Sequence, residues 1–358
     1  MHLTLFVPDL LWPDIDDTSA FEIPGTTALT RVLAAAARTE SHLSATGSWE
    51  SCLAALFGFD GPQAPLAQCR ARGDSLGDLP ADCRLLCADP VNLDFVQQSL
   101  ILSPIPADTL APGDMTALIA SLNEEFRTEG RFVSADAPAP INHAYFIPAD
   151  NGSGFPDLAA TSRLAGRRID ADQTRQILDR QSLQWLNRIQ MCLNDHPVNA
   201  ARDAKGLPRI NSLWPWGTGA LTTTPPARFS SAAGTGAMLR GLCLSTGTPW
   251  QPQLQFPATA GNHLMAEFTP SEAVVNDDLP AWQNALRDLD RTWVTPALNA
   301  LTDKNGCVTS LRIISPDAHR VREWTLDRSR LQKQRQWWQR WLGIQPALPG
   351  LGELVRSW

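Results

Sequence analysis

The stretch that decides how this chain is read is His196-Pro-Val-Asn-Ala-Ala-Arg-Asp-Ala-Lys-Gly-Leu-Pro-Arg-Ile-Asn-Ser-Leu-Trp-Pro-Trp-Gly-Thr-Gly219. It follows an apolar stripe of Leu183, Leu186, Ile189 and Leu193, whose 3.6-residue period predicts a long helix over about 172–195. Pro197 stops that helix, because it has no N–H to donate and its ring clashes with the preceding turn. Gly217 and Gly219 let the backbone take left-handed angles and approach a neighbour closely. His196, Asn199, Arg202 and Asn211, framed by Trp214 and Trp216, carry the donors and charge that recognise a carboxylate or a phosphate. The same residues also have an architectural use. A helix C-terminus favours His and Arg through its dipole, Asn suits turns, and a loop Trp packs. The residues alone leave both readings open: an anion-binding cleft, or a loop from 196 to 220 that knits two parts of the fold together.

Outward from this segment, strands are expected at 3–8, 84–88, 98–103, 142–148, 263–268 and 307–314. Helices are expected at 28–38, with Thr26 or Thr27 as its N-cap, and at 49–58, 115–127, 236–245, 280–301 and 328–342. Residues 59–82 read as surface loop or short helix, and 221–236 as an irregular stretch. Strands alternating with helices predict an α/β fold with a mostly parallel central sheet flanked by helices. One α/β domain is expected over 1–358, with a sub-domain inserted around 40–150.

Composition narrows the function. The 358 residues are 43% hydrophobic, enough for a sizeable core, and carry a net charge of -7. The acidic balance, with a pI near 5.4, argues against a protein that coats nucleic acid. It leaves room for a local basic pocket. Arg320, Arg322, Arg328, Arg330, Lys333, Arg335 and Arg340 with Trp337, Trp338 and Trp341 form a basic, indole-rich segment, read as a solvated helix whose indoles pack. The seven cysteines, an odd number scattered at 52, 69, 83, 87, 192, 243 and 307, are no disulfide framework and no zinc site, so reduced core thiols in a cytoplasmic protein are expected. The N-terminus lacks the features of a secretory signal, and no apolar run is long enough to span a membrane. Thirteen Trp stand against a single Tyr, which suggests indole packing on a large scale.

The 196–219 segment resembles the archaeal-type cofactor-independent phosphoglycerate mutases of the alkaline-phosphatase superfamily, where a helix likewise ends in His-Pro-x-Asn and leads into Asn-x-x-Trp-x-Trp-Gly-x-Gly. Leu239-Arg240-Gly241-Leu242 resembles that family's Arg-Gly helix, and Thr27-Ala-Leu-Thr-Arg-Val-Leu33 a superfamily helix. Over nearly its full length the chain is more similar still to a bacterial group of RpfE-type regulatory proteins. That likeness is carried by Pro8-Asp-Leu-Leu-Trp-Pro13, by Ala-Asp-Pro-Val at 88–91 and by the His-Pro-Val-Asn block. The resemblance implies an alkaline-phosphatase-like fold and a ligand site at His196, Asn199, Arg202, Asn211, Trp214, Trp216, Gly217, Gly219 and Arg240.

The catalytic pattern of that superfamily is broken here. Its enzymes hold two divalent metals on Asp and His and attack through Ser or Thr. Asp9 keeps one acidic position without the glycine that should follow. Thr269-Pro-Ser-Glu-Ala-Val-Val-Asn-Asp-Asp278 has no histidine where an Asp-Glu-x-x-His block belongs, and Ser315-Pro-Asp-Ala-His319 separates its Asp from its His. The expectation is a non-catalytic, regulatory relative without a metal cofactor, binding a phosphorylated or carboxylated small molecule or a protein partner. Asp9, Asp317 and His319 are the remnant metal candidates. The alternative is an active mutase or phosphotransferase using Mn or Mg, with Asp9 as ligand and Thr26 or Thr27 as nucleophile.

Overall fold

A computed structural model describes residues 1–13, 18–44, 47–61, 63–77, 83–96, 99–134, 143–149, 155–253, 255–257, 259–303, 305–331 and 350–357. The strands are β1 (His2–Phe6), β2 (Ala37–His42), β3 (Leu85–Val96), β4 (Ser99–Pro104), β5 (Gly130–Ser134), β6 (Ala144–Pro148), β7 (Arg168–Ile169), β8 (Ser212–Gly219), β9 (Ser231–Ala233), β10 (Trp250–Gln251), β11 (Asn262–Ala266), β12 (Ser310–Pro316) and β13 (Arg320–Asp327). The chain divides into two units. One holds Met1–Ser44, Ala227–Thr235 and Thr248–Trp358; the other holds Ala45–Pro226 and Gly236–Gly247.

The first unit is built on a seven-stranded sheet of order β10-β9-β11-β1-β12-β13-β2. In β1 the residues after His2 are buried on both faces, the pattern of a central parallel strand covered on each side. It pairs in parallel with β11 and β12, with Leu3 opposite His263 on one side and Leu311 on the other. The expected mostly parallel sheet holds from β10 to β12. Beyond that point β13 and β2 run antiparallel, so the sheet is mixed. The hairpin from β12 to β13 needs only a short turn, which is why it adds antiparallel strands to the edge. The helix expected over 28–38 ends at Ala35, and residues 37 and 38 open edge strand β2. It carries Arg38 and Glu40, and a charged edge discourages further pairing.

Helices α1 (Thr27–Ala35), α10 (Thr269–Val275), α11 (Leu279–Leu289) and α12 (Thr295–Thr302) belong to this unit; the numbers between fall to the second unit. Trp282 of α11 meets Phe21 edge-on at 5.6 Å within a core that also takes Leu3, Leu5, Leu29, Leu298 and Trp324. The single helix expected at 280–301 is broken by a π-turn over Asp290–Val294, just before Pro296. The wider turn accommodates a proline that an unbroken ladder would not.

The second unit holds α2 (Trp49–Leu56), α3 (Leu66–Gly73), α4 (Asp114–Glu125), α5 (Thr161–Leu164), α6 (Ala171–Ile177), α7 (Arg180–Leu193), α8 (Pro197–Asp203) and α9 (Ala237–Thr246). Its sheet, β5-β6-β3-β4-β7 with β8 also on β3, is antiparallel throughout. The helix expected over 172–195 is two helices, because Asp179 accepts a hydrogen bond from the Ser182 N–H at 2.7 Å and starts α7 afresh. The stretch 59–82 contains α3, whose Ala67, Gln68, Cys69, Arg70 and Ala71 are all buried. α3 lies backbone-close to α9. A Cβ on Gly241 would sit 1.6 Å from the Cys69 carbonyl oxygen, and one on Gly73 1.8 Å from that of Ala237. Only glycine permits that approach. Among the described residues no helix is long and apolar enough to cross a membrane.

Candidate functional site

The conspicuous segment 196–219 folds as helix and strand. Pro197 ends the preceding helix and opens α8 at its first turn, where a missing N–H costs nothing. His196 is the N-cap, its Nδ1 accepting from the Val198 N–H at 3.2 Å. Asn199 is 1% exposed; it donates to the carbonyls of Leu193 and Ile210 at 2.8 and 3.0 Å and accepts from the Ile210 N–H at 2.8 Å. Arg202, also buried, donates from Nε to the Pro208 carbonyl and from its terminal nitrogens to the carbonyl and hydroxyl of Thr109. Asn211 donates to the Leu93 carbonyl and accepts from the Leu93 N–H, so its amide extends the β3–β8 ladder by one rung.

Residues expected as loop form β8. Trp214 and Trp216 alternate with Pro215 in the period of a strand, and Pro215 is tolerated because β8 pairs along one edge with β3 and meets the other edge only at an isolated bridge with Leu158. Trp214 donates to the Ala159 carbonyl at 2.9 Å. Gly219 lies where a Cβ would come within 2.7 Å of the Ala64 carbonyl oxygen, and Gly217, at φ +77°, packs beside Leu66. Arg240 of α9 donates to the Gly73 carbonyl at 2.9 Å. The proposed cleft residues fall into two groups: His196, Asn199, Arg202 and Asn211 stand before β8, whereas Gly217 and Gly219 pack on residues 63–67 and Arg240 reaches Gly73; Asn199, Arg202 and Asn211 bond backbone groups. Backbone bonds of this kind are those the architectural reading calls for.

In the first unit, Asp9 follows β1 at φ 53° and accepts from the Ser271 hydroxyl at 2.6 Å. Asp317 sits in the turn between β12 and β13, where Oδ1 accepts from the N–H groups of His319 and Arg320 and Oδ2 meets Arg322 at 2.6 Å. Thr26 is the residue before α1, yet its hydroxyl turns back to donate to the Ile23 carbonyl. The α1 cap comes from elsewhere. The buried Asp290 carboxylate accepts from the Leu29 N–H at 2.7 Å and from the Thr295 hydroxyl at 2.7 Å. Among the described residues no three of His, Cys, Asp and Glu gather as a metal-binding group. Asp9 meets Ser271 through one carboxylate oxygen and Asp317 is bonded within its turn, and among the described residues neither is joined by the further donors a two-metal centre requires.

Arg320 and Arg322 pair with Glu40, while Arg328 and Arg330 donate to backbone carbonyls, Gly306, Val308 and Ala35 among them. The rest of the basic, indole-rich segment, from Lys333 to Trp341, lies outside the described residues.

A buried charge cluster in the second unit was not foreseen. Buried Arg70 on α3 meets Asp89 of β3 at 2.6 Å and donates to the Tyr145 hydroxyl at 3.2 Å. That hydroxyl donates to Asp74, whose Oδ2 also lies 2.8 Å from His143 Nδ1. Asp89 accepts in addition from the Thr161 hydroxyl at 2.6 Å and the Trp216 indole at 2.7 Å. The guanidinium lies 4.9 Å from the Tyr145 ring centre and 5.1 Å from that of Trp216. Burial opposes its charge, yet Asp89 and its neighbours hold the Arg70 pKa well above the ordinary value. Burial likewise works against the Asp74 charge, and the contacts with His143, Tyr145 and Arg70 together outweigh it, leaving that carboxyl below its usual range. Nearby Glu50 accepts from Ser162 at 2.7 Å, and burial raises its pKa. A buried arginine runs against composition-based expectation. The available signals were the small residues flanking it and the chain's single tyrosine.

No protein-family model matches the chain, and no curated protein matches it. Solved structures do resemble it, among them the following two. The PH0037 protein of Pyrococcus horikoshii is 13% identical with a TM-score of 0.48, covering 91% of this chain and 87% of that one. The cofactor-independent phosphoglycerate mutase of Thermoplasma acidophilum is 15% identical with a TM-score of 0.43, covering 91% and 89%. Both likenesses are distant ones of general fold and carry no chemistry to this chain.

Proposed function

We propose that this chain is a binding or regulatory protein that performs no phosphoryl transfer, on a scaffold of the phosphoglycerate-mutase type. The observation that carries the reading is Asp290. A helix N-terminus presents free N–H groups and positive potential, the natural seat of a phosphoryl oxygen. At α1 the third N–H, that of Leu29, is taken by the protein's own carboxylate. A phosphate arriving there would have to displace Asp290 and then face its charge. The Thr26 hydroxyl, held on the Ile23 carbonyl, and Asp317, tied to Arg322 and its own turn, support the same reading, because a nucleophile must turn toward its substrate and Asp317 is already paired. In this reading 196–219 braces the second unit, and recognition lies elsewhere on the molecule.

The test is turnover of p-nitrophenyl phosphate and of 3-phosphoglycerate by purified protein with added Mn²⁺ or Mg²⁺, together with elemental analysis. The expected result is no turnover above buffer and no stoichiometric metal. Metal-dependent turnover that disappears in Asp9→Ala would overturn the proposal and restore the transferase reading.

A further inference from the structure

We propose that a groove on the outer face of α7 binds a small uncharged ligand bearing an amide carbonyl and hydroxyls, of the N-acylated sugar type. It is separate from every residue discussed above as a phosphoryl or anion site, and it does not depend on the absence of catalysis. The groove has a volume of about 650 Å³, within the roughly 300–1,000 Å³ range of small-molecule sites. Trp185 and Phe155 give it aromatic walls, and Gln184 and Asn187 line it from α7.

Three features select the ligand. Trp185 is 5% exposed, and its indole N–H is buried without an acceptor. A buried donor left unpaired costs about 1–3 kcal/mol, which a ligand carbonyl recovers. Next, the side-chain amides of Gln184 and Asn187 each offer donors and an acceptor, and among the described residues neither has a partner. That supply matches hydroxyls, which also donate and accept. Finally, the charge lining the groove is cancelled. Arg188 lies 2.6 Å from Glu129 and 3.0 Å from Glu125. An anion would have to compete with two carboxylates for that guanidinium, so a neutral ligand is favoured.

An N-acetyl group supplies the carbonyl for the indole and a methyl for the aromatic wall. Ring hydroxyls fall to the two amides. The indole N–H is covered in the free protein, so binding includes a small rotation of Trp185 or Phe155 that uncovers it.

The full chain, labelled with ¹⁵N, is titrated with N,N′-diacetylchitobiose and followed by calorimetry and by the indole N–H resonances. One indole resonance, assigned to Trp185 by its loss in Trp185→Phe, is expected to shift on saturation. Affinity is expected to fall by about tenfold or more in the double variant Gln184→Ala/Asn187→Ala. Both of those positions are exposed, so the fold is kept even if Trp185→Phe disturbs the aromatic cluster. No heat and no indole shift at millimolar probe would overturn the proposal, as would wild-type affinity in the double variant. Phosphatase turnover, measured separately, moves with neither outcome.

Discussion

The segment 196–219 and the cluster around Arg70 both bury polar side chains in the second unit, and they do it by different physics. In the first, neutral amides and a guanidinium answer backbone carbonyls, so each side chain closes a gap in the hydrogen-bond ladder. In the second, charges answer charges across three elements, α3, β3 and β6, with Tyr145 between Arg70 and Asp74. The segment looks functional because its residue types are those of a ligand site. The cluster looks ordinary in sequence because its members are scattered from 70 to 145. Residue type alone is therefore a poor guide to which polar group is free to act.

Experiments can break this contrast at several depths. The deepest concerns the helix contact beneath the cluster. Gly241→Ala places a methyl 1.6 Å from the Cys69 carbonyl oxygen, where backbone must move. Denaturant unfolding is expected to show the largest loss of stability of all the changes named here, or soluble protein is not obtained. Next comes Arg70→Met, which leaves the largely covered Asp89 without its counter-ion. Breaking a buried pair from one side costs about 3–5 kcal/mol. The double variant Arg70→Met/Asp89→Asn is expected to regain part of that loss, and failure to regain any would deny the pairing its role.

A smaller effect is expected in the segment. Asn199→Ala strands the Ile210 N–H and two carbonyls away from water, a cost of about 3 kcal/mol in the midpoint of chemical denaturation. Asn199→Asp keeps the size but removes the donor to Leu193 and Ile210, and is expected to cost at least as much.

The mildest test is of pH. Burial raises the Glu50 pKa above its ordinary 4.5, so the folded state holds a proton that the unfolded state has released. Stability therefore falls as pH rises from about 4.5 through the raised value, because the native state binds more protons in that window. Glu50→Gln is expected to flatten that fall, matching wild type near the lower end and exceeding it above. A variant less stable than wild type at every pH would contradict the assignment.

Much of the first unit was legible. The apolar runs of β1, β11 and β12 and the stripe of α1 follow from short-range periodicity, which is local information. What was missed depends on partners far along the chain. β8 was hidden by Pro215, Gly217 and Gly219, which signal a turn until an edge position and a close neighbour explain them. β13 and β2 carry charged residues whose partners include other strands and turns, Glu40 meeting Arg320 and Arg322 and Glu323 meeting Arg312. α3 was hidden because Gln68 and Arg70 advertise a surface helix, and only Asp89 and Tyr145 make its burial tolerable. The cap of α1 by Asp290 joins residues 261 positions apart, beyond any motif. Site residues were found by type in 196–219, whereas their use was set by which carbonyls the fold placed beside them.

The central claim is that 196–219 braces the fold and binds no anion. The measurement that tests it most directly is thermal unfolding of wild type and Arg202→Ala, each with and without 3-phosphoglycerate. The account predicts a Tm lower by several degrees in the variant, from the freed carbonyls of Pro208 and Thr109, and no ligand-induced rise in either protein. A wild-type Tm raised by 3-phosphoglycerate, with a variant that keeps the wild-type Tm but loses the rise, would contradict it.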